Sequence, residues 1–259
     1  MGLYAVCAAK GSPGVSTAAV ALGLTWAGPA VVADLDPAGG DLSLRYRDLE
    51  GRPLDPDRGL MSLAAAVRRG SEGAHVGEHL QTAGGGLPLL VGVTRPEQVT
   101  ALGTSWQHVA RSLATMPGQD VLADCGRVLP GSATMPVLAQ ADAILILTRP
   151  TMEELYHLRE RLRGLTETLR LRDLDAVPVG VAVLAGDRDR DSVPDVQQVI
   201  AAAGLPATVV GAFAIEPKTA AALRYGLDVS ARKSLLLRSA AAIGEAMRKL
   251  AATRAARLV

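Results

Sequence analysis

The chain has 259 residues, 49% of them hydrophobic and 20% charged, and its 27 Lys+Arg against 26 Asp+Glu leave a formal charge of +1. That length suits one large α/β domain spanning 1–259 rather than two full-sized ones, and the balance excludes a disordered chain and a strongly basic polyanion binder. No run approaches the ~18 apolar residues of a membrane span, and Met1 leads straight into an apolar segment without the basic region of a secretory signal, so the expected location is cytoplasmic.

Along the chain, short apolar runs of strand length alternate with longer segments of helical period. A strand over Leu3–Ala8 precedes a helix over Thr17–Trp26, and a strand over Ala30–Asp34 precedes one over Leu60–Arg69. A strand over Leu87–Val93 and a helix over Pro96–Thr115 follow, then a strand over Val121–Asp124 and a helix over Thr134–Gln140. The remaining pairs are Ala143–Leu147 with Glu153–Leu171, Val179–Leu184 with Pro194–Ala203, and Thr208–Phe213 with helices over Thr219–Tyr225 and Ser239–Arg254. The alternation predicts an α/β fold, a doubly wound and mostly parallel sheet of about seven strands with helices on both faces.

In such sheets ligands bind beyond the carboxyl ends of the strands, which directs attention to the first strand–loop–helix junction. It reads Ala9-Lys10-Gly11-Ser12-Pro13-Gly14-Val15-Ser16-Thr17. A phosphate-binding loop of the G-x-x-x-x-G-K-[ST] type cradles phosphates with backbone N–H groups, reaches them with its lysine, and places a hydroxyl on Mg²⁺. Here Gly14 and Ser16 keep the spacing, and Val15 stands where the lysine belongs.

The segment resembles the variant (deviant Walker A) loop of the ParA/MinD family of P-loop ATPases, which adds an early signature lysine matched by Lys10. Three further segments carry the resemblance in the same order. Asp34-Leu35-Asp36-Pro37-Ala38-Gly39-Gly40-Asp41 is similar to the family's D-x-D-P switch I, and Val121-Leu122-Ala123-Asp124-Cys125-Gly126 to its Walker B strand and switch II. Ile215-Glu216-Pro217 resembles the proline-bearing loop beside the adenine. The resemblance implies a P-loop NTPase fold binding ATP and Mg²⁺. Gly11, Ser12, Pro13, Gly14, Val15, Ser16 and Thr17 would wrap the phosphates and Pro217 would border the base. Ser16 and Asp124 would hold the metal, Asp36 would orient the attacking water, and Lys10 would reach the phosphates of a partner copy in a nucleotide-linked homodimer. It further implies a protein that positions a chromosome, a division septum or a secretion or pilus machine through a protein partner, at the membrane or nucleoid periphery.

Losing a charge-assisted hydrogen bond at Val15 weakens ATP binding by roughly 10- to 100-fold, and losing a transition-state donor slows the chemistry on the order of 100- to 1000-fold. A slow or inactive ATPase is therefore expected, with a scaffold that no longer binds nucleotide productively as the alternative. Arg127 and Arg149 are candidate substitutes for the missing cation. Read without the resemblance, Lys10 is also a solvated loop lysine, Asp36 and Asp41 also suit turns or helix caps, and Asp124 closes an apolar run where an unpaired carboxylate is costly. Cys7 and Cys125 read as reduced, buried thiols, and the His75/His79 spacing as a weak metal signal beside ordinary surface histidines. Ile243, Met247, Leu250 and Leu258 with nearby basic residues allow either membrane contact by the last helix or its packing on the sheet, the latter favoured because the apolar face is thin. Net charge near zero does not favour DNA binding.

Overall fold

The strand runs owe their form to burial on both faces: Leu3, Ala5 and Cys7 point into one apolar layer and Tyr4, Val6 and Ala8 into the other, and all six are buried. The computed structural model describes residues 1–11, 13–69, 75–226 and 233–257. Its strands are β1 (Leu3–Ala8), β2 (Ala30–Asp34), β3 (Gln81–Thr82), β4 (Pro88–Leu90), β5 (Asp120–Arg127), β6 (Ala143–Thr148), β7 (Val179–Ala185) and β8 (Thr208–Ala214). They form one sheet in the order β3-β4-β2-β5-β1-β6-β7-β8, parallel except for β3.

The helices are α1 (Val15–Thr25), α2 (Leu42–Arg45), α3 (Leu60–Arg68), α4 (Pro96–Leu102), α5 (Ser105–Ala114), α6 (Met135–Gln140), α7 (Met152–Thr168), α8 (Ser192–Ala202), α9 (Pro217–Arg224) and α10 (Leu235–Arg257). One layer holds Leu60 and Leu63 of α3, Trp106 of α5, Leu158 and Leu162 of α7, and Ile200 of α8. The other holds α1 with Leu223 of α9 and Leu237, Ile243 and Met247 of α10. A helix apolar on most sides must be covered on most sides, and α1 lies between the sheet and α10.

Three expectations are corrected. The helix predicted over Pro96–Thr115 is two, because Gly103 takes a left-handed φ of 49° and ends the first at Leu102. The strand predicted over Leu87–Val93 pairs only through Pro88–Leu90, because the Val91 carbonyl accepts from Leu60 N–H (2.7 Å) and the Val93 carbonyl from Gly40 N–H (2.7 Å) instead of extending the ladder. An eighth strand, β3, adds two antiparallel residues to that edge.

The last helix begins a turn earlier than its periodicity suggests, with the Ser234 hydroxyl accepting from Leu237 N–H at 3.1 Å. Its apolar side, Ile243 and Met247 with Leu250, is packed on the sheet, and Arg254 donates to the carbonyls of Ala141 (2.7 Å) and Asp175 (2.9 Å). Leu258 lies outside the described residues. Among the described residues no helix is long and apolar enough to cross a membrane.

At the opposite edge β8 is bulged at Val210, between Val209 and Gly211, and side chains take two of its outward N–H groups: Gln197 Oε1 accepts from Val209 (2.9 Å) and Ser239 Oγ from Ala214 (3.0 Å).

Candidate functional site

The turn from β1 into α1 leaves helix N–H groups facing open space. Gly14 sits immediately before α1 with φ 93°, a left-handed conformation that suits glycine, and no side chain caps the helix. The first α1 amides and the positive end of the helix dipole are thus offered to an anion. Val15, Ser16 and Thr17 form the first turn of α1; Ser16 and Thr17 are half-buried, whereas Val15 is only 7% exposed and belongs to the apolar layer beneath. Pro13 is buried, Gly11 and Lys10 are exposed, and Ser12 lies outside the described residues.

Beside this turn the sheet delivers its carboxylates. The register of β2 against β5 sets Asp34 opposite Asp124, both essentially without solvent exposure. Asp124 Oδ1 accepts from Gly126 N–H at 3.0 Å and Asp34 Oδ2 from Leu42 N–H at 3.2 Å, while Asp124 Oδ2 and Asp34 Oδ1 have no partner. Burial, and for Asp34 the neighbouring Asp124, pushes both carboxyl groups well above the ordinary aspartate range, and the Ser16 hydroxyl beside Asp124 works in the opposite direction. Asp36, half-buried, accepts from Ala38 N–H at 2.8 Å; burial raises its pKa, with that N–H and Arg127 opposing.

Gly126 connects the two motifs. Its N–H serves Asp124, its φ is 59°, and a Cβ there would collide with the Asp36 carboxyl group. Gly126→Ala should therefore destabilise the protein by about 1 to 3 kcal/mol. Urea denaturation checks this, and an unchanged midpoint would show that Asp36 swings clear at no cost.

Two cavities meet at the loop. The larger, about 690 Å³, is lined by Gly11, Gly14–Thr17, Asp36, Asp41, Arg45, Gly126, Arg127, Arg224 and the 129–133 loop. The smaller, about 250 Å³, has Pro13, Arg149, Phe213 and Ile215–Pro217 in its wall. Gly14, Thr17 and Arg224 line both. The structure thus brings Gly11, Gly14, Val15, Ser16, Thr17 and Asp36 together around one space, with Pro217 and Pro13 around its neighbour. Pro217 is the first residue of α9, where its missing N–H costs nothing, and Glu216 anchors the loop by accepting from Ser234 Oγ (2.6 Å) and Leu236 N–H (3.0 Å). Lys10 lines neither cavity.

The α1 amides, Ser16 and Arg127 around the larger space suit an anion such as a phosphate, and the apolar wall of Phe213, Ile215 and Pro217 in the smaller one suits a base. The fit extends to a divalent ion. Among the described residues no group of three or more His, Cys, Asp or Glu side chains is disposed to hold a metal by itself. Mg²⁺ does not require one, since it keeps waters and takes one or two protein oxygens beside phosphate. The orphaned, buried Asp124 Oδ2 next to Ser16 supplies that kind of donor.

Sequence reasoning missed Arg45 and Arg224. Neither belongs to a recognisable motif; they come to one cavity where Tyr46, the residue after α2, donates its hydroxyl to the Leu223 carbonyl of α9 at 2.7 Å. Of the two candidate substitutes for the lysine, Arg127 lines the larger cavity and Arg149 the smaller, where it pairs with Glu154 at 3.5 Å. Cys7 and Cys125 are buried, free thiols, and His79 Nδ1 shares a 2.8 Å hydrogen bond with Ser62 Oγ.

No protein-family profile and no curated protein matches the chain. Solved structures do. The septum site-determining protein MinD of Pyrococcus horikoshii, complexed with Mg-ADP, superposes with a TM-score of 0.70 at 16% identity, over 97% of this chain and 98% of that one. A putative plasmid partition protein of Borrelia burgdorferi bound to AMPPNP gives 0.69 at 14% identity, over 96% and 98%. A ParA family ATPase of Chlorobium tepidum gives 0.67 at 16% identity, over 94% and 97%. The likeness runs through almost the whole of each chain, and the fold of this protein is that of the ParA/MinD P-loop ATPases.

Proposed function

We propose that the protein binds ATP with Mg²⁺ in the joined cavities at the β1–α1 turn, associates as a homodimer when nucleotide is bound, and acts as a positioning protein of the MinD/ParA type with slow turnover. The observation that carries the reading is the convergence on one space of an uncapped helix N-terminus, Ser16 and Asp36, with the fully buried Asp124 carboxylate, one oxygen of which has no partner, lying beside Ser16 behind the cavity wall. Support for the nucleotide comes from the similar folds that were solved with Mg-ADP and AMPPNP.

In this reading the α1 amides and Gly11–Thr17 hold the phosphates. Ser16 and Asp124 hold Mg²⁺ directly or through water, and the ion would neutralise charge on the phosphate oxygens. Asp36, close to Gly126 in the cavity wall, would orient a water. Pro217 borders the base, and Lys10, exposed at the rim, is free to reach a second copy. The absence of a lysine at position 15 leaves the developing phosphoryl charge with less stabilisation, hence slow chemistry. A protein partner that stimulates turnover or receives the cargo belongs to the same reading.

One observation favours a second reading, a scaffold that has given up nucleotide: Val15 is built into the apolar layer rather than left facing the cavity alone.

Calorimetric titration with Mg·ATP, with light scattering to follow association, separates the two. Saturable binding below millimolar nucleotide, weakened at least tenfold in Asp124→Ala and accompanied by a doubling of mass, is the expected result. No heat at millimolar Mg·ATP from protein that unfolds cooperatively would establish the scaffold.

A further inference from the structure

The loop lacks its lysine, yet the cavity it borders is not short of cations. Arg45, Arg127 and Arg224 all line it. They differ in what already holds them. Arg45 lies 2.5 Å from Asp41 with only 17% of its side chain exposed, and Arg127 is set beside Asp36. Arg224 has no carboxylate partner among the described residues and is exposed, so its charge is not compensated there.

Position distinguishes Arg224 further. Among the described residues it is the only arginine that lines both the larger and the smaller cavity, and it stands with Arg45 and Arg47 around a third space of about 530 Å³ that is also lined by Asp41 and Tyr225. Its backbone is fixed: Leu223 is buried, its carbonyl accepts the Tyr46 hydroxyl, and Tyr46 immediately follows Arg45. One buried hydrogen bond thus ties the last turn of α9 to the residue after Arg45, and both arginines line the same cavity.

Resting on the nucleotide reading above, we infer that Arg224, seconded by Arg45, supplies from outside the loop the positive charge that Val15 withholds, binding the polyphosphate of the nucleotide where the two cavities join. A guanidinium is permanently charged and offers paired donors to phosphate oxygens, so it serves from the rim of the site without the deep placement a loop lysine has. Tyr46 is a positioning residue in this arrangement; it acts through Arg45 and Arg224.

The test is calorimetry of the full chain with Mg·ATP and, separately, adenosine, at two salt concentrations. Arg224→Ala should lose about tenfold or more in ATP affinity with a much smaller loss for adenosine, and its ATP affinity should depend less steeply on salt. Arg224→Lys should recover part of the loss. Arg45→Ala should show a smaller loss of the same kind. Tyr46→Phe should reduce the ratio of ATP to adenosine affinity while its ring keeps its place. If Arg224→Ala binds Mg·ATP as tightly as the unaltered protein while Asp124→Ala does not, the inference about arginine is overturned and the nucleotide site stands. If the unaltered protein binds no nucleotide, both fall together.

Discussion

Replacing Val15 by lysine should tighten Mg·ATP binding by about 10- to 100-fold. Position 15 opens α1, and its side chain touches both the apolar layer and the larger cavity. A lysine there can lay its methylene stem where valine now packs and extend its ammonium into the cavity beside the α1 amides. The gain is one charge-assisted hydrogen bond, against which the lost valine packing should lower stability by only about 1 kcal/mol. Titration calorimetry and urea denaturation of the same variant read both quantities. If Arg224 already carries part of the phosphate charge, the gain should be larger in an Arg224→Ala background than in the unaltered protein, and the two substitutions will not add. An unaltered affinity would mean that the phosphates do not run along α1.

The nucleotide-free protein, kept in chelator, should lose stability as pH rises from about 4 to about 8. Asp34 and Asp124 face each other across β2 and β5, and burial holds their folded pKa values up, that of Asp34 to about 8. In the unfolded chain both titrate near 4, as aspartates ordinarily do, at about 3.9. Between these limits the folded protein retains protons that the unfolded chain has released, so unfolding is favoured by every increment of pH; the stability is whole below the unfolded value and is lost as pH climbs through the folded one. One retained proton costs about 2.7 kcal/mol over two pH units. Asp34→Asn keeps an acceptor for Leu42 N–H and removes one of the charges, so it should flatten the curve and be the more stable protein at pH 8. Chemical denaturation at half-unit steps measures the slope, and an equal slope in both proteins would mean that the pair does not hold a proton. Saturating Mg²⁺ and ATP should reduce the effect in the unaltered protein, because a bound cation favours the ionised pair.

Strands buried on both faces could be read directly: β1, β2, β5, β6 and β7 are nearly unbroken apolar runs, and no other element type suits runs that short. Elements too short to show a period could not. α2 has four residues and β3 two, and each exists because a neighbour completes it, Asp34 at the start of α2 and β4 beside β3. A single glycine is tolerated in a helical pattern, so Gly103 does not by itself mark a boundary; its positive φ turns the chain between the buried Leu102 and Trp106. At the candidate site, Gly14, Ser16, Asp36 and Asp124 were legible because loop and strand-end chemistry is local in sequence. Asp34, quoted within its motif, gave no sign that it would be sealed against Asp124, and Arg45 and Arg224 carried no sign at all. Their association depends on a hydroxyl-to-carbonyl contact between distant segments, which no spacing rule encodes.

The two ends of the sheet limit how copies of this chain can meet. A sheet with an open, flat margin recruits another by continuing its hydrogen bonding, and such recruitment ignores whatever is bound elsewhere. Here one margin is a two-residue strand, and the other is bulged at Val210 with its outward amides at Val209 and Ala214 already satisfied by Gln197 and Ser239. A neighbouring molecule finds few main-chain partners on either side. The proposed dimer would therefore form not by continuing the sheet but at the face where the strand ends, the loop and Lys10 emerge.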